Sequence, residues 1–406
     1  MSAIQGQKGS LLGRLTALVV MAVASTGWVQ PGHAQTGAIE EVTVTAQKRA
    51  ESIQDVPISM QALTGDDLRE LGAQNASDIL NLFANVGSID AGGPKQNFFI
   101  RGVGTSDFHL NAVGAVGIYL DEVSINSPVA VSFSLFDMER VEVLRGPQNT
   151  LFGRNTTGGA VNYITQKPVV GDASSGHVVL GYGRFDQVDI EAAAGVPLGD
   201  TAAMRIAIVS NNRDGAYDNL TLGEDTGTVD KQAVRLQFLW EPSEYTSALL
   251  NLHGGKDDSE ATPFKNVGLM DPSEPSQPCA DAGSAHVQDQ PDCVDVTGYQ
   301  HSYDNWPDVF GGMLHRQQVD TSGASLRLDW EIGGATLTSI SAIDSTEVEY
   351  SEDTDGQPYV VFQFYQEGDY DQLSQELRLA SDTAVDFRWI IGAFYFSEET
   401  EYVSTA

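Results

Sequence analysis

The sequence predicts a small α+β domain followed by an antiparallel transmembrane β-barrel, of which about nine strands are present. Three observations predict it. An export signal opens the chain, short capped helices alternate with strand-like runs up to residue 167, and apolar and polar side chains then alternate with period two. Together they divide the chain into residues 1–34, 35–51, 52–167 and 168–406.

Residues 1–34 have the pattern of a secretory signal peptide. A lightly basic start with Lys8 and Arg14 precedes the apolar run Leu15–Ala24, and small residues lead to Ala34. The alternative is a membrane anchor, but about ten strongly apolar residues are too few for a helix that needs roughly 20 to cross a bilayer core. We therefore expect export and cleavage after Ala34.

The chain is strongly acidic. Its 406 residues include 56 Asp and Glu against 22 Lys and Arg, which gives a formal net charge of -34. Such a polyanion repels phosphate backbones, so nucleic acid is excluded as a partner class.

The sequence contains two cysteines, Cys279 and Cys293, in a polar stretch. In an exported chain a disulfide fits this pair better than a metal site with two sulfurs. We therefore predict a disulfide between them and no metal site.

Residues 35–51 contain a short β-branched run, Glu41-Val42-Thr43-Val44-Thr45, which favours an extended conformation but has little bulk for a core. The run fits β-augmentation, in which an extended peptide adds to the exposed sheet edge of a partner. It fits an ordinary first strand equally well. From these residues alone, both interpretations stay open.

The pattern of residues 52–167 predicts a compact domain of mixed helices and strands. Thr64–Leu71 has a capping threonine, acids in the first turn and apolar residues at helical spacing, and Ser77–Phe83 repeats the pattern. Strand-like runs follow at Phe98–Arg101, Val116–Leu120 and Arg140–Leu144, separated by Gly-rich and polar connections.

Residues 168–406 predict membrane-spanning strands. Val234, Leu236, Phe238 and Trp240 alternate with mostly polar neighbours, and the same period recurs near residues 330 and 390. After a short first loop, short turns alternate with long loops, as in outer-membrane barrels. The predicted turns are Leu198-Gly199-Asp200, Pro242-Ser243, Gly333-Gly334 and Ser381-Asp382, and the predicted long loops are 214–230, 257–319 and 351–370. We count about nine strands, the first running outward. A β-sandwich or a secreted solenoid is the alternative, since half-buried sheets also alternate.

Motifs of common enzymes are absent from the sequence. Gly102-Val103-Gly104 lacks a third glycine at position 107, and Gly153–Gly159 is not followed by Lys and Ser or Thr. Neither a Gly-x-Ser-x-Gly elbow nor a His-Glu-x-x-His helix occurs. No enzymatic activity is therefore expected.

Five segments, in this order, resemble those of TonB-dependent outer-membrane receptors. Glu41–Ala46 resembles the energy-coupling TonB box, residues 55–71 the opening of the plug domain, residues 99–104 and 119–123 its middle, and Arg140–Thr165 its most diagnostic stretch. The resemblance implies that residues 52–167 form a plug inside a barrel. Plugged transporters have about 22 strands, so we expect residues 168–406 to be the first part of a barrel.

The resemblance also implies a function. It places the protein in the outer membrane of a Gram-negative bacterium, in contact with lipid and lipopolysaccharide, where it binds a small external ligand and imports it with energy delivered by TonB. A ferric siderophore is the leading ligand, and no permanently bound cofactor is expected. An oligosaccharide, cobalamin or another metal chelate is the alternative with the same mechanism, and a passive porin or adhesin is the alternative of a different class.

Site residues follow from the same resemblance. TonB would capture Glu41, Val42, Thr43, Val44 and Thr45. An outward-facing plug loop would contact the ligand through Thr105, Ser106, Asp107, Phe108, His109 and Asn111, assisted by Ser124–Ser132, although plain solvated loops explain these residues equally well. Arg101 and Arg145 match plug arginines that pair with glutamates of the barrel wall, with Glu376 as one candidate.

Acidic residues are also frequent in the predicted long loops. We expect these loops to form a solvated, cation-binding outer surface that disfavours a strongly anionic ligand. The acids are Asp257, Asp258, Glu260, Glu352, Asp353 and Asp355.

Overall fold

The computed structural model describes residues 42–406 apart from 74, 91–92, 128, 134, 172, 267, 280–292, 296, 301–306, 383–384 and 386. The predicted signal peptide, residues 35–40 and Glu41 lie outside the described residues. Within the described part, no helix is long and apolar enough to span a membrane.

Short strands and helices make up the first part of the described chain. The strands are β1 (Thr43–Val44), β2 (Glu51–Ser52), β3 (Met60–Thr64), β4 (Val86–Asp90), β5 (Gln96–Ile100), β6 (Val103–Gly104), β7 (Val116–Leu120), β8 (Val123–Ser124), β9 (Met138–Arg145) and β10 (Gly159–Thr165). The helices are α1 (Gly65–Glu70), α2 (Ala76–Asn81) and α3 (Asn149–Phe152), and a 3-10 helix spans Ala130–Phe133.

The two predicted helices are present and capped. Thr64 and Asp67 form a reciprocal capping box at α1, which satisfies main-chain N–H groups that a helix start leaves open. The cap of α2 is Asn75, whose side chain accepts from the N–H of Asp78, so this helix begins before the predicted Ser77.

The centre of this domain is a five-stranded sheet in the order β3-β9-β10-β7-β8. In this sheet β10 is antiparallel to β9 and parallel to β7. Its core joins Val141 and Val161 of the sheet with Ile100 of β5 and with Leu68 and Leu80 of the helices. Burial of each such side chain contributes about 1.5–3 kcal/mol, which makes this a folded platform for the loops described below.

In its described part, the rest of the chain supplies nine long strands and five short ones. They are β11 (Ser175–Tyr182), β12 (Val188–Pro197), β13 (Ala202–Arg213), β14 (Tyr217–Asn219), β15 (Glu224–Thr226), β16 (Val229–Ser243), β17 (Thr246–Asp257), β18 (Met270–Asp271), β19 (Glu274–Pro278), β20 (Asp308–Val309), β21 (Arg316–Ile332), β22 (Ala335–Asp353), β23 (Gln363–Ser381) and β24 (Ile390–Thr405). Nine of them form one antiparallel sheet in the order β11-β12-β13-β16-β17-β21-β22-β23-β24, which confirms the predicted strand count.

In this nine-stranded sheet the exposed face is apolar and the buried face is polar, which is the reverse of a soluble protein. On β16, Val234 and Trp240 are 45% and 49% exposed, whereas Arg235 and Gln237 are 2% and 1% exposed. A soluble β-sandwich buries its apolar face, so the alternative of a sandwich is excluded. The sheet is therefore part of an incomplete barrel, with an apolar outer face and a polar inner face toward the plug, as in outer-membrane barrels.

The strand connections follow the predicted alternation of short and long as far as β22. β16 and β17 are joined by residues 244–245 and β21 and β22 by Gly333 and Gly334, whose φ angles of +57° and +84° favour glycine. Residues 258–315 form a long loop that carries β18, β19 and β20. Beyond β22, the predicted long loop 351–370 shortens to 354–362, because both flanking strands extend into it, and the connection 382–389 is longer than the predicted turn at Ser381-Asp382.

Candidate functional site

The predicted TonB box is one arm of a two-stranded hairpin, which we call the box hairpin (residues 42–53). Thr43 pairs with Ser52 and Val44 with Glu51. Val44 is fully buried in an apolar cluster that also contains Leu144. Of the predicted coupling residues, Val44 is therefore buried against the plug, Val42 and Thr45 are half-buried, and Thr43 is exposed.

Thr45 binds the box hairpin to a buried carboxylate. Its N–H donates to Glu142 Oε1 at 2.8 Å, and its Oγ1 lies 3.3 Å from both carboxylate oxygens. Glu142 is fully buried and also accepts from Arg140 Nε at 2.8 Å. Release of the hairpin therefore removes a hydrogen-bond donor from a charged acceptor that lies out of water.

Lys48 at the tip of the box hairpin inserts between the plug and the barrel. Its Nζ lies 3.2 Å from Glu376 Oε2 on β23 and 3.5 Å from Glu122 Oε2 in the turn between β7 and β8. It also lies 5.0 Å from the ring centre of Phe152. The ammonium group is almost fully buried, so it ties the hairpin to two carboxylates at once.

Glu122 is the centre of this buried charge cluster. Its carboxylate contacts Arg327 on β21 and Arg378 on β23, the latter through Nη2 and Oε1 at 3.1 Å. Burial raises the pKa of Glu122, but the surrounding cations outweigh burial and hold that pKa well below its usual range. The carboxylate is therefore charged and fixes the plug to the barrel wall.

The predicted lock between plug arginines and Glu376 is wrong in this structure. Arg101 donates to Ser59 Oγ at 2.8 Å, and Arg145 donates to the carbonyl oxygen of Ala84 at 3.0 and 3.1 Å. Both arginines are at the ends of plug strands and turn toward other plug residues, whereas Glu376 is engaged by the box hairpin. The ion pairs of Glu122 have the opposite polarity, since a plug carboxylate meets barrel arginines.

A second plug–barrel contact lies on the first barrel strands. Arg205 of β13 donates Nε to Asp137 Oδ2 at 2.6 Å, and Glu191 of β12 accepts from the N–H of Asp137 at 3.1 Å. Arg235 of β16 donates to the carbonyl oxygen of Phe136 at 2.9 Å and lies over its ring. The two barrel arginines again meet acceptors on the plug, while Glu191 accepts from a plug N–H.

The predicted ligand loop lies between β6 and β7 and presents aromatic rings. Phe108 is 53% exposed, with its ring centre 4.2 Å from that of His109 and 5.2 Å from that of Phe364 on β23. Hydrogen bonds from the main chain and ring of His109 lower the pKa of Asp107. Lys95 Nζ donates to the carbonyl oxygen of His109 at 2.8 Å. The rings are thus held on an ordered loop.

The remaining predicted contacts of this loop are polar and open to solvent. Ser106 and Asn111 are exposed and Thr105 is half-buried, whereas Leu110 between them is buried. The loop is therefore anchored at Leu110 and presents its other side chains outward. Whether they touch a ligand stays a prediction.

The second predicted loop, Ser124–Ser132, is attached to β23 and β24. Gln372 accepts from the N–H of Asn126 at 3.1 Å and donates to the carbonyl oxygen of Ser124 at 2.6 Å. The side chain of Asn126 also binds Glu398. Both outer plug loops are therefore held by side chains of the barrel.

The disulfide predicted between Cys279 and Cys293 is present, with the two Cα atoms 6.0 Å apart. It joins the two sides of the long loop between β17 and β21.

The acidic loops are less solvated than expected. Asp257 is buried and accepts from Gln317 Nε2 at 2.8 Å, beside Lys231 Nζ at 3.1 Å. Asp353 is fully buried and accepts from the N–H of Gly312 at 2.6 Å. These two carboxylates brace the loops rather than form an open cation-binding surface.

Sequence reasoning missed Lys48, Glu122 and Arg378. One signal was available: on β23 the even-numbered positions carry Gln366, Gln372, Glu376 and Arg378, and period-two alternation places them on a single face. A polar face on a barrel strand points to the lumen, where the plug lies.

A comparison with known protein families agrees with this geometry. Residues 52–160 match the family model described as TonB-dependent Receptor Plug Domain. Residues 52–160 are therefore a plug domain of this family. Receptors of this family lie in the outer membrane of Gram-negative bacteria, which is the location of this protein.

Curated relatives match shorter stretches. The vitamin B12 transporter BtuB of Vibrio vulnificus is 28% identical over 192 residues, which are 45% of this chain and 30% of the relative. An iron-regulated outer membrane virulence protein of Vibrio cholerae is 32% identical over 133 residues, 32% of this chain and 20% of the relative. The matched parts are thus less than a third of the relatives' length.

Solved structures share the fold. The ferric yersiniabactin uptake receptor FyuA of Yersinia pestis has a TM-score of 0.69 and 17% identity, and the match covers 86% of this chain and 49% of that one. The ferripyoverdine receptor of Pseudomonas aeruginosa, bound to ferripyoverdine, has a TM-score of 0.66 and 15% identity over 89% and 45% of the two chains. This chain therefore spans about half the length of these two receptors.

Proposed function

We propose that the complete receptor imports a ferric siderophore across the outer membrane with energy delivered by TonB. The docked box hairpin is the observation that carries this proposal. An isolated two-stranded hairpin is marginally stable in water, so the position of this one depends on its contacts with plug and barrel. Those contacts are concentrated in Val44, Thr45 and Lys48.

A segment held in this way has two states, docked and released. In the released state, Val42 to Thr45 offer free main-chain groups for strand addition to a partner sheet. Ligand binding outside would favour release only if the ligand contacts the two states differently, and the outer plug loops are where such a difference would arise. TonB would then capture the box and pull on the plug.

The aromatic loop supports an organic iron chelate as the ligand. Phe108 and His109 present stacked rings beside Phe364, and apolar or aromatic groups of a chelate would pack against them. The names of similar structures point the same way, because several are receptors for ferric siderophores.

Uptake by cells with the complete gene tests the proposal. In an iron-starved host, we expect labelled ferric siderophore to enter with the wild-type box and with Val44→Ala, which keeps the main-chain N–H. Val44→Pro removes that N–H, and we expect uptake to fall to background. Iron uptake that is equal in the alanine and proline variants would refute energy coupling through the box.

Cobalamin is the second candidate, because the relative from Vibrio vulnificus is a vitamin B12 transporter. The same cells and variants are therefore supplied with labelled cyanocobalamin. Proline-sensitive cobalamin uptake without iron uptake would replace the siderophore assignment and leave the coupling mechanism in place.

A further inference from the structure

A single barrel strand, β23, contacts both outer plug loops and the box hairpin. Its inward side chains meet, from the outer end to the inner end, the aromatic ligand loop, the second plug loop, Lys48 of the box hairpin and Glu122 of the plug. The contacting residues are Phe364, Gln366, Gln372, Glu376 and Arg378.

Gln366 binds the main chain of the ligand loop in both directions. Its Oε1 accepts from the N–H of Leu110 at 3.0 Å, and its Nε2 donates to the carbonyl oxygen of Phe108 at 3.3 Å. Gln366 is 1% exposed, and Tyr402 of β24 donates to the same Oε1. The amide thus makes the two main-chain hydrogen bonds that a neighbouring strand would make, and it fixes the residues on both sides of His109.

Gln372 repeats this arrangement at the second loop, with the N–H of Asn126 and the carbonyl oxygen of Ser124 as its partners. Its Nε2 also donates to Asp344 on β22 at 3.1 Å. Two glutamines six positions apart therefore hold two separate plug loops by the same two-way contact. A side-chain amide that makes both bonds specifies the position of the main chain, whereas a single bond leaves it free to rotate.

The inner end of β23 holds the box hairpin. Glu376 lies ten positions after Gln366, which is about 34 Å along a strand. Between them, β23 pairs continuously with β22 and β24, so the strand is stiff. The residues that contact the outer plug loops and the residue that contacts Lys48 thus lie on one rigid strand.

We propose that Gln366 and Gln372 are positioning residues that couple the placement of the two outer plug loops to docking of the box hairpin through β23. The proposal rests on the proposed roles of the ligand loop and of the box. The two-state element is the box hairpin, and the glutamines favour its docked state by holding the plug in register with Glu376.

Cysteine labelling of the complete receptor in detergent tests this without a ligand. Cys279 and Cys293 are joined in the disulfide, and any other cysteine of the complete receptor is replaced by serine, so Leu110→Cys and Val44→Cys serve separately as reporters of the loop and the box. Both positions are buried, and we expect slow reaction with a maleimide. With Gln366→Leu and Gln372→Leu together, we expect both reporters to react faster, by about tenfold for each side-chain amide that is removed.

Gln375→Leu is the matched control, because this glutamine of β23 binds Ser341 and Ser339 on β22 and not the plug. We expect it to leave both reporters slow. Faster labelling of the loop with no change at Val44→Cys overturns the coupling, and no change at either reporter overturns the positioning role. An equal rise in the control also overturns the proposal, since the effect would then be general loosening of the barrel. None of these outcomes depends on the transported ligand.

Discussion

The inner and outer halves of the plug–barrel interface are held by different chemistry. At the inner end, Lys48, Glu122 and Arg378 form a buried network of charges. At the outer end, Gln366 and Gln372 make neutral amide contacts with plug main chain. Both ends lie on the same strand, so the difference is in the side chains and not in the scaffold.

This difference assigns different mechanical roles to the two ends. Breaking a buried ion network by removal of one partner costs about 3–5 kcal/mol, because an uncompensated charge is left out of water. A neutral hydrogen bond contributes only about 0.5–1.5 kcal/mol. The ligand side can therefore adjust in small steps, whereas the box side is docked or released as a unit.

Glu122→Gln should have the largest effect. Removal of this carboxylate leaves the buried Arg378 and the half-buried Arg327 without their central partner, and we expect plug unfolding to become easier by about 3–5 kcal/mol. Urea unfolding of the complete receptor, followed by a fluorophore on the plug, measures this. Glu70→Gln on the exposed face of α1 is the control, with an expected change within about 0.5 kcal/mol. Equal midpoints for the two variants would show that the network does not hold the plug.

The effect of Glu122 should also depend on pH in a defined direction. Because the folded pKa of Glu122 is held below its usual value, its stabilisation is complete above the unfolded pKa of about 4.3 and is lost as the pH falls through the folded pKa. The difference in unfolding free energy between wild type and Glu122→Gln should therefore be constant from pH 7 to about pH 5 and shrink below about pH 4. A difference that grows on acidification contradicts the assigned sign.

Lys48→Met should release the box hairpin without unfolding the plug. The bond that this change removes is charge-assisted, so docking should weaken by about 1.5–3 kcal/mol. Labelling of a Val44→Cys reporter measures release. Lys256→Met removes an exposed lysine paired with Asp258 and should leave labelling unchanged. Equally slow labelling in both variants would mean that Lys48 does not hold the hairpin.

Tyr402→Phe should have the smallest effect, because it removes a single neutral bond to Gln366. We expect the ligand loop to loosen by about 0.5–1.5 kcal/mol, seen as faster labelling of a Leu110→Cys reporter. Tyr395→Phe on the exposed outer face of β24 is the control. If Tyr402→Phe released the loop as strongly as Glu122→Gln releases the plug, the distinction between the two ends would be lost.

Local patterns in the sequence predicted the fold well. Capping at Thr64, alternation along Val234 to Trp240 and the glycine turn at residue 333 are each decided by neighbouring residues, and the structure contains all three. The contacts that join the box hairpin and the plug to the barrel were not predictable in the same way. Lys48 and Glu376 are 328 positions apart and Glu122 and Arg378 are 256 apart, so their pairing depends on how the plug sits in the barrel.

The wrong assignment of Arg101 and Arg145 has the same cause. Their charge is evident in the sequence, but their direction is set by the ends of β5 and β9, which turn them toward Ser59 and Ala84. The even positions of β23 gave the better signal, since alternation alone places Gln366 and Glu376 on the inward face.

The central claim is that buried ion pairs hold the box back from TonB. The most direct test is the affinity of a soluble periplasmic part of TonB for the complete receptor without ligand. If docking limits capture, Lys48→Met and Glu122→Gln should each bind at least about tenfold more tightly than wild type, because the fraction of released box rises. Val44→Pro added to Lys48→Met should abolish the gain. The same affinity for wild type and both charge variants would contradict the claim.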